Sequence, residues 1–231
     1  MNQPPDRTAR TIRSFVIRGG RMTVAQERAL DELWPAYGVD YSPAPLDLAQ
    51  LFGNTHPCTA EIGFGNGDHL LERAQREPER NFLGIEVHPP GVGRLLLGVQ
   101  QAGLSNVRIL CHDAVEVLRD QLPADSLDEL QILFPDPWHK KRHHKRRLIE
   151  PGFVALAAGR IRPGGRLALA TDWEPYAEQM LEVLRGCPLL ENTAADGGFA
   201  PRPDSRIVTR FERRGLLRGH VVRDLLWRRR A

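Results

Sequence analysis

Several features that mark membrane-bound, secreted or disulfide-stabilised proteins are missing from this sequence. None of its apolar runs approaches the ~18 residues that a membrane-spanning helix needs. Its three cysteines, Cys58, Cys111 and Cys187, lie far apart and form no CxxC pair, which argues against a disulfide framework and a zinc site. These absences favour a cytoplasmic protein that uses neither a membrane nor a metal. We expect it to be a monomer or a homodimer.

Lysine is scarce as well, and its placement is informative. Only three of the 32 Lys and Arg residues are lysines, and all three lie within residues 139–147, which hold six basic residues and no acid. A second segment, residues 201–231, holds ten Arg against three acids, although the whole chain has a net charge of only +3. Two basic regions on an otherwise acidic protein predict a polyanionic partner.

The first 57 residues differ from the rest of the chain. Their start is rich in arginine and lacks the apolar core of a secretory signal, so a transit peptide is one interpretation. Ile12, Phe15 and Val16 favour another interpretation, an element that packs onto the protein. We therefore expect a leader over residues 1–57, partly helical or flexible, followed by a single α/β domain over residues 58–231.

From about residue 58, short apolar runs alternate with helical patterns, which predicts a mostly parallel sheet with helices on both faces. The predicted strands cover residues 59–64, 82–87, 107–110, 127–134 and 166–171. The predicted helices cover approximately residues 68–78, 91–103, 114–121, 147–160 and 174–185. Two later antiparallel strands are predicted over residues 206–212 and 216–227, and Pro163-Gly164-Gly165 is predicted to be the turn before the fifth strand.

Ligands of such sheets bind at the carboxyl ends of the strands, and the first strand runs into a glycine-rich turn. Gly63, Gly65 and Gly67 permit a tight turn and a close approach of the backbone to a ligand. A dinucleotide-binding turn would need glycine at position 68, where Asp68 would repel a pyrophosphate. The pattern that starts at Glu61 suits a cofactor with an amino-acid group and no phosphate; an ordinary strand–helix turn is the alternative.

Acidic residues follow the second and third strands. Glu86 lies about twenty residues past the glycines, where a carboxylate can accept hydrogen bonds from both ribose hydroxyls. Asp113 could hold an adenine amino group, or it could simply cap the helix that begins at Ala114. Because the chain has no Walker lysine, these acids favour S-adenosylmethionine over a nucleotide phosphate.

The fourth strand leads into Phe134-Pro135-Asp136-Pro137-Trp138. Two prolines fix the backbone around one carboxylate, and such a rigid loop would present Asp136 to the cofactor methyl group. The alternative is a helix start, with Asp136 as N-cap and Pro137 as the first helical residue. Trp138 could pack against a base or against the loop itself.

The basic run over residues 139–147 follows at once. Basic side chains interleaved with flat imidazoles can bind phosphates and stack on bases. The three histidines in this run do not indicate a metal site, because no carboxylate or thiolate lies at the spacing that a metal ligand would need. The predicted RNA-binding patch consists of Lys141, Arg142, His143, Lys145 and Arg146.

Two later carboxylates are also candidates. Asp172 follows the fifth strand and is either a ligand-facing residue or an N-cap. Glu212 could accept hydrogen bonds from N1–H and the amino group of a guanine, or it could belong to an ordinary edge strand.

These motifs resemble those of the bacterial tRNA (guanine-N7-)-methyltransferases. The similar segments are Glu-Ile-Gly-Phe-Gly-Asn-Gly (61–67), Gly-Ile-Glu (84–86), His-Asp-Ala (112–114), Phe-Pro-Asp-Pro-Trp-His-Lys-Lys-Arg-His (134–143), Ala-Thr-Asp-Trp-Glu (170–174) and Thr-Arg-Phe-Glu-Arg-Arg-Gly (209–215). Arg-Ser-Phe-Val (13–16) and Gly-Gly-Arg-Met-Thr (19–23) are similar too, so the match spans nearly the whole chain. The Pro-Asp-Pro-Trp element with its basic run is the specific part. One departure is Arg210, where the family often has Lys.

The resemblance implies a class I S-adenosylmethionine-dependent methyltransferase (Rossmann-like) domain over residues 58–231. It implies methylation of N7 of the variable-loop guanine (position 46) of tRNA, with Asp136 as the catalytic residue. The expected cofactor-binding residues are Glu61, Gly63, Gly65, Glu86, Asp113 and Asp136. The expected substrate-binding residues are Lys140, Asp172, Thr209, Arg210, Phe211 and Glu212.

Three other functions remain as alternatives. A nicotinamide-dependent dehydrogenase shares the fold pattern, but Asp68 replaces the third glycine and no hydride-transfer set of His and Arg is evident. A non-catalytic RNA-binding protein could retain the scaffold, although the acids at positions 61, 86, 113 and 136 are intact. A methyltransferase for another RNA or for a protein would carry the same cofactor motifs.

Overall fold

The computed structural model describes residues 13–16, 21–208, 212–213, 215, 219 and 221–231. Three predicted substrate-binding residues, Thr209, Arg210 and Phe211, lie outside this part of the chain. No helix among the described residues has the length and apolarity to cross a membrane.

Helices and strands alternate in the predicted order. The leader contains α1 (Val24–Tyr37) and α2 (Leu48–Phe52). The strands are β1 (Cys58–Ile62), β2 (Asn81–Glu86), β3 (Val107–Cys111), β4 (Leu127–Leu133), β5 (Ile161–Thr171), β6 (Leu190–Asn192) and β7 (Arg223–Arg229). The remaining helices are α3 (Asp68–Arg76), α4 (Pro89–Gln101), α5 (Ala114–Glu116), α6 (Pro151–Ala158) and α7 (Glu174–Arg185). A π-helical turn over Val117–Gln121 extends α5, and a 3-10 helix over Lys141–Arg146 precedes α6.

The described strands form one sheet in the order β3-β2-β1-β4-β5-β7-β6. Strands β1 to β5 pair in parallel, and β7 runs antiparallel to both β5 and β6. The predicted fold, a mostly parallel sheet with an antiparallel C-terminal strand, is confirmed. Because β1 pairs with β2 on one side and β4 on the other, the strand order reverses there, and the carboxyl ends of β1 and β4 form the expected ligand-binding edge.

Helices cover both faces of this sheet. On one face, Leu70 of α3 and Leu95 of α4 pack with Phe82 of β2. On the other face, Tyr176 of α7 belongs to a cluster that contains Leu83 of β2. Neighbouring residues of one strand therefore belong to two cores, which explains why the parallel strands read as continuous apolar runs.

The described part of the leader is folded onto the domain. A capping box between Thr23 and Gln26 begins α1, and α1 packs against α4. The backbone N–H of Val39 then donates a hydrogen bond to the carbonyl of Ile109 at 2.9 Å. This backbone pairing covers part of the exposed edge of β3.

The prediction that Pro163-Gly164-Gly165 precedes the fifth strand is wrong. These residues lie within β5, which begins at Ile161. Gly164 has φ of +81°, and the pairing of β5 with β4 shifts register in this region. A glycine in left-handed conformation thus produces an irregularity inside the strand, and the strand resumes after it.

The C-terminal predictions need correction as well. Arg206 to Val208 are not in a strand, while Glu212 and Arg213 are helical, so the strand predicted over residues 206–212 is wrong where it is described. The described part of the strand predicted over residues 216–227 begins at Arg223, and residues 216–218 and 220 lie outside the described part of the chain. The short strand β6 was not predicted, because three residues are too few to show a period.

Candidate active site

A cavity of about 410 Å³ opens at the carboxyl ends of the parallel strands. Residues that end or follow β1 to β4 form its wall, together with leader residues Ser14 to Val16. Among the described residues, its lining carries the carboxylates Glu86, Asp113 and Asp136 and no Lys or Arg. This surface suits a cationic ligand and disfavours a phosphate, and the volume suits a small molecule.

The glycine-rich turn contributes Gly63 to the cavity wall, whereas Gly65 and Gly67 are not part of the lining. Gly63, Gly65 and Gly67 have φ of +71°, +57° and +77°, a conformation that side chains other than glycine's adopt at a cost. The helix α4 packs directly on this turn, since a Cβ added to Gly91 would overlap the carbonyl oxygen of Gly65. The predicted tight turn is therefore present.

Glu86 is held in place by backbone groups. Its Oε2 accepts a hydrogen bond from the N–H of Gly65 at 2.9 Å, and its Oε1 accepts from the N–H groups of Val87 and His88 at 2.7 and 3.1 Å. A carboxylate can accept about four hydrogen bonds. Glu86 thus joins the turn to the end of β2 and retains accepting capacity toward the cavity that it lines.

Asp113 is the helix cap considered for it, and it also lies at the cavity. Its Oδ1 accepts a hydrogen bond from the backbone N–H of Val115 at 2.9 Å, so it is the N-cap of α5. It also lines the cavity. The cap fixes the carboxylate at the cavity wall.

Glu61 lies beneath the glycine turn rather than on the cavity wall. Its side chain is 5% exposed, and its Oε2 lies 2.9 Å from Nδ1 of His69 on α3, which is 2% exposed. The His69–Glu61 contact joins the end of β1 to the first turn of α3 across the turn that both flank. His69 was not predicted, since a histidine on a helix has no distinguishing sequence signal.

The loop that carries Asp136 is constrained at both ends. Phe134 and Trp138, which are not glycines, have φ of +54° and +47°. Between them lie Pro135, Asp136 and Pro137, and no helix begins here, so the N-cap interpretation of Asp136 is wrong. Backbone strain of this kind persists only where surrounding contacts over-determine it. The rigid presentation of Asp136 on the cavity wall agrees with the sequence prediction.

Trp138 packs on protein. Its indole N–H donates a hydrogen bond to the carbonyl of Ser14 at 3.1 Å, the guanidinium of Arg146 lies 5.2 Å from its ring centroid, and His143 meets it edge-on at 5.9 Å. These contacts connect the loop to the leader and to the basic run. The contribution of Ser14 to Val16 to the cavity was not predicted, because the motif Arg-Ser-Phe-Val (13–16) resembles the family without indicating a ligand contact.

The basic run lies largely on the surface. Lys140 to Arg142 and Lys145 are exposed, whereas Arg147 is buried and donates a hydrogen bond to the carbonyl of Pro137 at 2.9 Å. Desolvation and then the neighbouring cations, Arg142 first, lower the pKa of His143. At neutral pH the run therefore presents cations beside a neutral imidazole.

A second cavity, of about 550 Å³, adjoins the first, and we call it the basic groove. The two share Ser14, Asp113 and Leu148. Its cationic lining comes from three parts of the chain: the leader, the π-helical turn and the basic run. These residues are Arg13, Arg119, Lys145, Arg146 and Arg147, which outnumber the three carboxylates of the same lining, Asp113, Glu116 and Glu150.

The last two predicted carboxylates lie in different settings. Asp172 follows β5, but the N-cap of α7 is Trp173, so the N-cap interpretation of Asp172 is wrong. Glu212 is buried and forms hydrogen bonds of 2.6 and 3.0 Å with the guanidinium of Arg206. The alternative of an ordinary edge strand for Glu212 is wrong as well. In the part of the chain that the structure describes, no group of three His, Cys, Asp or Glu side chains is arranged to hold a metal ion.

Comparisons with known proteins agree with this geometry. A family model described as "Putative methyltransferase" matches residues 55–225. The tRNA (guanine-N(7)-)-methyltransferase of Aeromonas hydrophila is 55% identical over 220 residues, which cover 95% of this chain and 93% of that protein. That of Streptomyces avermitilis is 56% identical over 220 residues, covering 95% and 76%. The crystal structure of the 16S rRNA methyltransferase KamB shares the fold, with a TM-score of 0.59, 16% identity and coverage of 79% and 92%.

The strand order, the reversed β7 and the acid-lined cavity define a class I S-adenosylmethionine-dependent methyltransferase. Within that class, the chain belongs to the family of tRNA (guanine-N(7)-)-methyltransferases. The resemblance inferred from the motifs is thereby confirmed, and the dehydrogenase alternative is excluded.

Proposed function

We propose that this protein transfers the methyl group of S-adenosylmethionine to N7 of the variable-loop guanine of tRNA. The identity of more than half of the aligned residues to tRNA (guanine-N(7)-)-methyltransferases, over 95% of the chain, carries the proposal. Support from the site comes from Asp136, which a constrained loop presents to a cavity lined by acids.

The cavity fits S-adenosylmethionine by its chemistry. This cofactor supplies a methyl group on a cationic sulfonium and has no phosphate, which matches a lining with three carboxylates and no described Lys or Arg. Glu86 would accept hydrogen bonds from the ribose hydroxyls and Asp113 from the adenine amino group. The Gly63–Gly65 turn would let the backbone approach the methionine part. Glu61 would act from below this turn, through its contact with His69.

The chemistry demands little proton transfer from the protein. Guanine N7 has a lone pair and no proton, so no base is needed, but the methylated ring becomes cationic. The enzyme must therefore align the reacting atoms and provide negative potential near the base. The carboxylate of Asp136 would provide this potential without reorganisation, because Pro135 and Pro137 hold its backbone.

The tRNA backbone would lie along the basic run and the basic groove. The exposed cations Lys140, Lys141, Arg142 and Lys145 offer phosphate contacts, which position RNA without reading its sequence. The groove shares a wall with the cofactor cavity, so a strand bound there would bring a neighbouring nucleotide to Asp136. His143 and Arg146 would contribute to this patch, although both also contact Trp138.

Several substrate contacts follow from the family resemblance. Lys140 and Asp172 would contact the target nucleotide, together with residues 209–211. Glu212 would act mainly by holding Arg206, since both of its oxygens already accept hydrogen bonds from that guanidinium. We also place the enzyme in the cytoplasm, because Cys58, Cys111 and Cys187 are free thiols.

A tRNA that lacks the nucleophilic atom tests the proposal. A transcript assembled by ligation would carry 7-deazaguanosine at the variable-loop position, and a matched transcript would carry guanosine. Methyl incorporation from labelled S-adenosylmethionine is expected for the guanosine transcript only, while both transcripts bind with similar affinity. Equal incorporation into both would reject N7 of this guanine as the target.

A further inference from the structure

Arg206 is a buried arginine at the centre of an ion-pair network. Its side chain is 3% exposed. It donates hydrogen bonds to both oxygens of Asp224 on β7, at 2.5 and 3.0 Å, and to both oxygens of Glu212, at 2.6 and 3.0 Å. Bidentate pairs of this kind restrict the guanidinium to one position and one plane.

The same guanidinium covers the ring of Phe134, with 5.8 Å between its Cζ and the ring centroid. Phe134 has the strained φ of +54°, lines the cofactor cavity and immediately precedes Pro135-Asp136. Its backbone N–H donates to the carbonyl of Ala170 at 2.7 Å, and Ala170 is the cross-strand neighbour of Asp224. Phe134, Ala170, Asp224 and Arg206 thus form a ring of contacts, in which each residue touches the next and Arg206 touches Phe134 again.

We infer that Arg206 is a positioning residue for methyl transfer, which holds Phe134 in its strained conformation and thereby fixes the loop that presents Asp136. A strained residue needs neighbours that exclude its relaxed conformations. Arg206 meets this need because its own position is set by two carboxylates on separate parts of the chain. Arg206 is not itself part of the cavity lining, and by this inference it does not touch the reacting atoms. Its expected effect on turnover rests on the proposed function, whereas its effect on the cavity does not.

The chain contains a matched arginine that separates positioning from stability. Arg73 on α3 is 2% exposed, pairs with Glu77 and Glu129, and lies 5.4 Å from the ring centroid of Phe82. Glu129 is near the start of β4 and pairs with Thr59 near the start of β1. Both therefore lie at the amino ends of the strands, whereas the cavity is at the carboxyl ends. Loss of Arg73 should destabilise the fold as loss of Arg206 does, without moving Asp136.

The experiment compares Arg206→Met with Arg73→Met in the full-length protein, at a temperature where both are folded. Three quantities are measured: the melting temperature, the affinity for S-adenosylmethionine by calorimetry, and kcat for tRNA methylation. Both variants should melt lower than the parent. Arg206→Met should also lower kcat by about 10- to 100-fold, since a displacement of about 1 Å can cost this much, and weaken cofactor binding by about threefold or more. Arg73→Met should change kcat and the affinity for S-adenosylmethionine by less than about threefold each.

A milder pair of variants covers the case in which Arg206→Met does not fold. Asp224→Asn loosens Arg206 and Glu129→Gln loosens Arg73, while each keeps its volume. Asp224→Asn should lower kcat by about three- to tenfold, and Glu129→Gln by less than about twofold. Arg206→Lys should have a kcat close to that of Arg206→Met, because an ammonium group cannot bind two carboxylates in the bidentate manner.

The two failures are distinguishable. If the parent protein does not methylate tRNA, the proposed function fails, while the calorimetric comparison of the variants still tests the role of Arg206. If Arg206→Met and Asp224→Asn change kcat and cofactor affinity no more than their matched controls, Arg206 is merely a stabilising residue and the inference is overturned.

Discussion

The indole N–H of Trp138 donates a hydrogen bond to the backbone carbonyl of Ser14 at 3.1 Å, across 124 positions of the chain. Trp138 ends the constrained loop of Asp136, and Ser14 belongs to the leader segment that forms part of the cavity wall. The contact therefore makes the leader a structural component of the cofactor site.

Substitution of Trp138 by Phe removes this donor and keeps an aromatic ring. The affinity for S-adenosylmethionine should fall by about two- to tenfold, the equivalent of about 0.5–1.5 kcal/mol for one net hydrogen bond. Calorimetric titration measures it. The control is Trp34→Phe, which removes a similar bond to Asp40 on the surface and should leave the affinity unchanged. Equal affinities in the parent and Trp138→Phe would contradict this role for the leader.

Substitution of Asp136 by Asn keeps the shape of the side chain and removes its charge. Single-turnover methylation should slow by about 100-fold, as for the loss of one pre-organised electrostatic group. The tRNA affinity, measured by filter binding, should change much less. The control is Asp196→Asn, which alters a loop residue whose carboxylate accepts a hydrogen bond from the backbone N–H of Gly198. If rate and tRNA affinity fell equally, Asp136 would not be the catalytic residue.

Removal of two exposed cations should weaken tRNA binding through the phosphate backbone. For Lys140→Ala with Lys141→Ala, the slope of log affinity against log salt should become shallower by about one per lost contact. The matched double variant, Arg28→Ala with Arg76→Ala, removes two exposed cations from α1 and α3 and should keep the parent slope. Unchanged affinity at low salt in the lysine variant would reject the phosphate-contact interpretation.

The buried Cys58 thiol should be chemically inert in the folded protein. Burial, and then the nearby Asp128 carboxylate, raise its pKa to about 12. Because the thiolate is the reactive form and the residue is 3% exposed, alkylation of the folded protein at pH 8 should be slow. The rate of Cys58 alkylation is measured by peptide mass spectrometry after iodoacetamide treatment, with and without denaturant. Labelling of native Cys58 as fast as in the denatured chain would contradict this placement.

The five parallel strands could be predicted because most of their residues are buried on both faces of the sheet, and the apolar runs this produces leave a clear signal. The motif residues at the strand ends could also be located, since topology brings consecutive carboxyl ends to one edge. Glu86, Asp113 and Asp136 do meet at one cavity. Glu61 does not reach its wall, because it lies beneath the glycine turn with His69.

What sequence reasoning missed has physical causes. Arg206 lies in an arginine-rich segment, where each arginine reads as a solvated charge, and nothing local shows that Asp224 and Glu212 neutralise it in the interior. The same segment suggested a strand because its sequence is rich in β-branched and aromatic residues, Ile207, Val208, Thr209 and Phe211. The contribution of Ser14 depends on one long-range contact to Trp138, which no local pattern encodes.

Nucleoside mass spectrometry of an unmodified tRNA transcript, incubated with the protein and S-adenosylmethionine, tests the central claim most directly. The account predicts one 7-methylguanosine per tRNA, which nuclease mapping places in the variable loop. Absence of methylated nucleosides from a reaction with folded, cofactor-bound protein would contradict it, as would a methyl group on another atom or in another part of the tRNA.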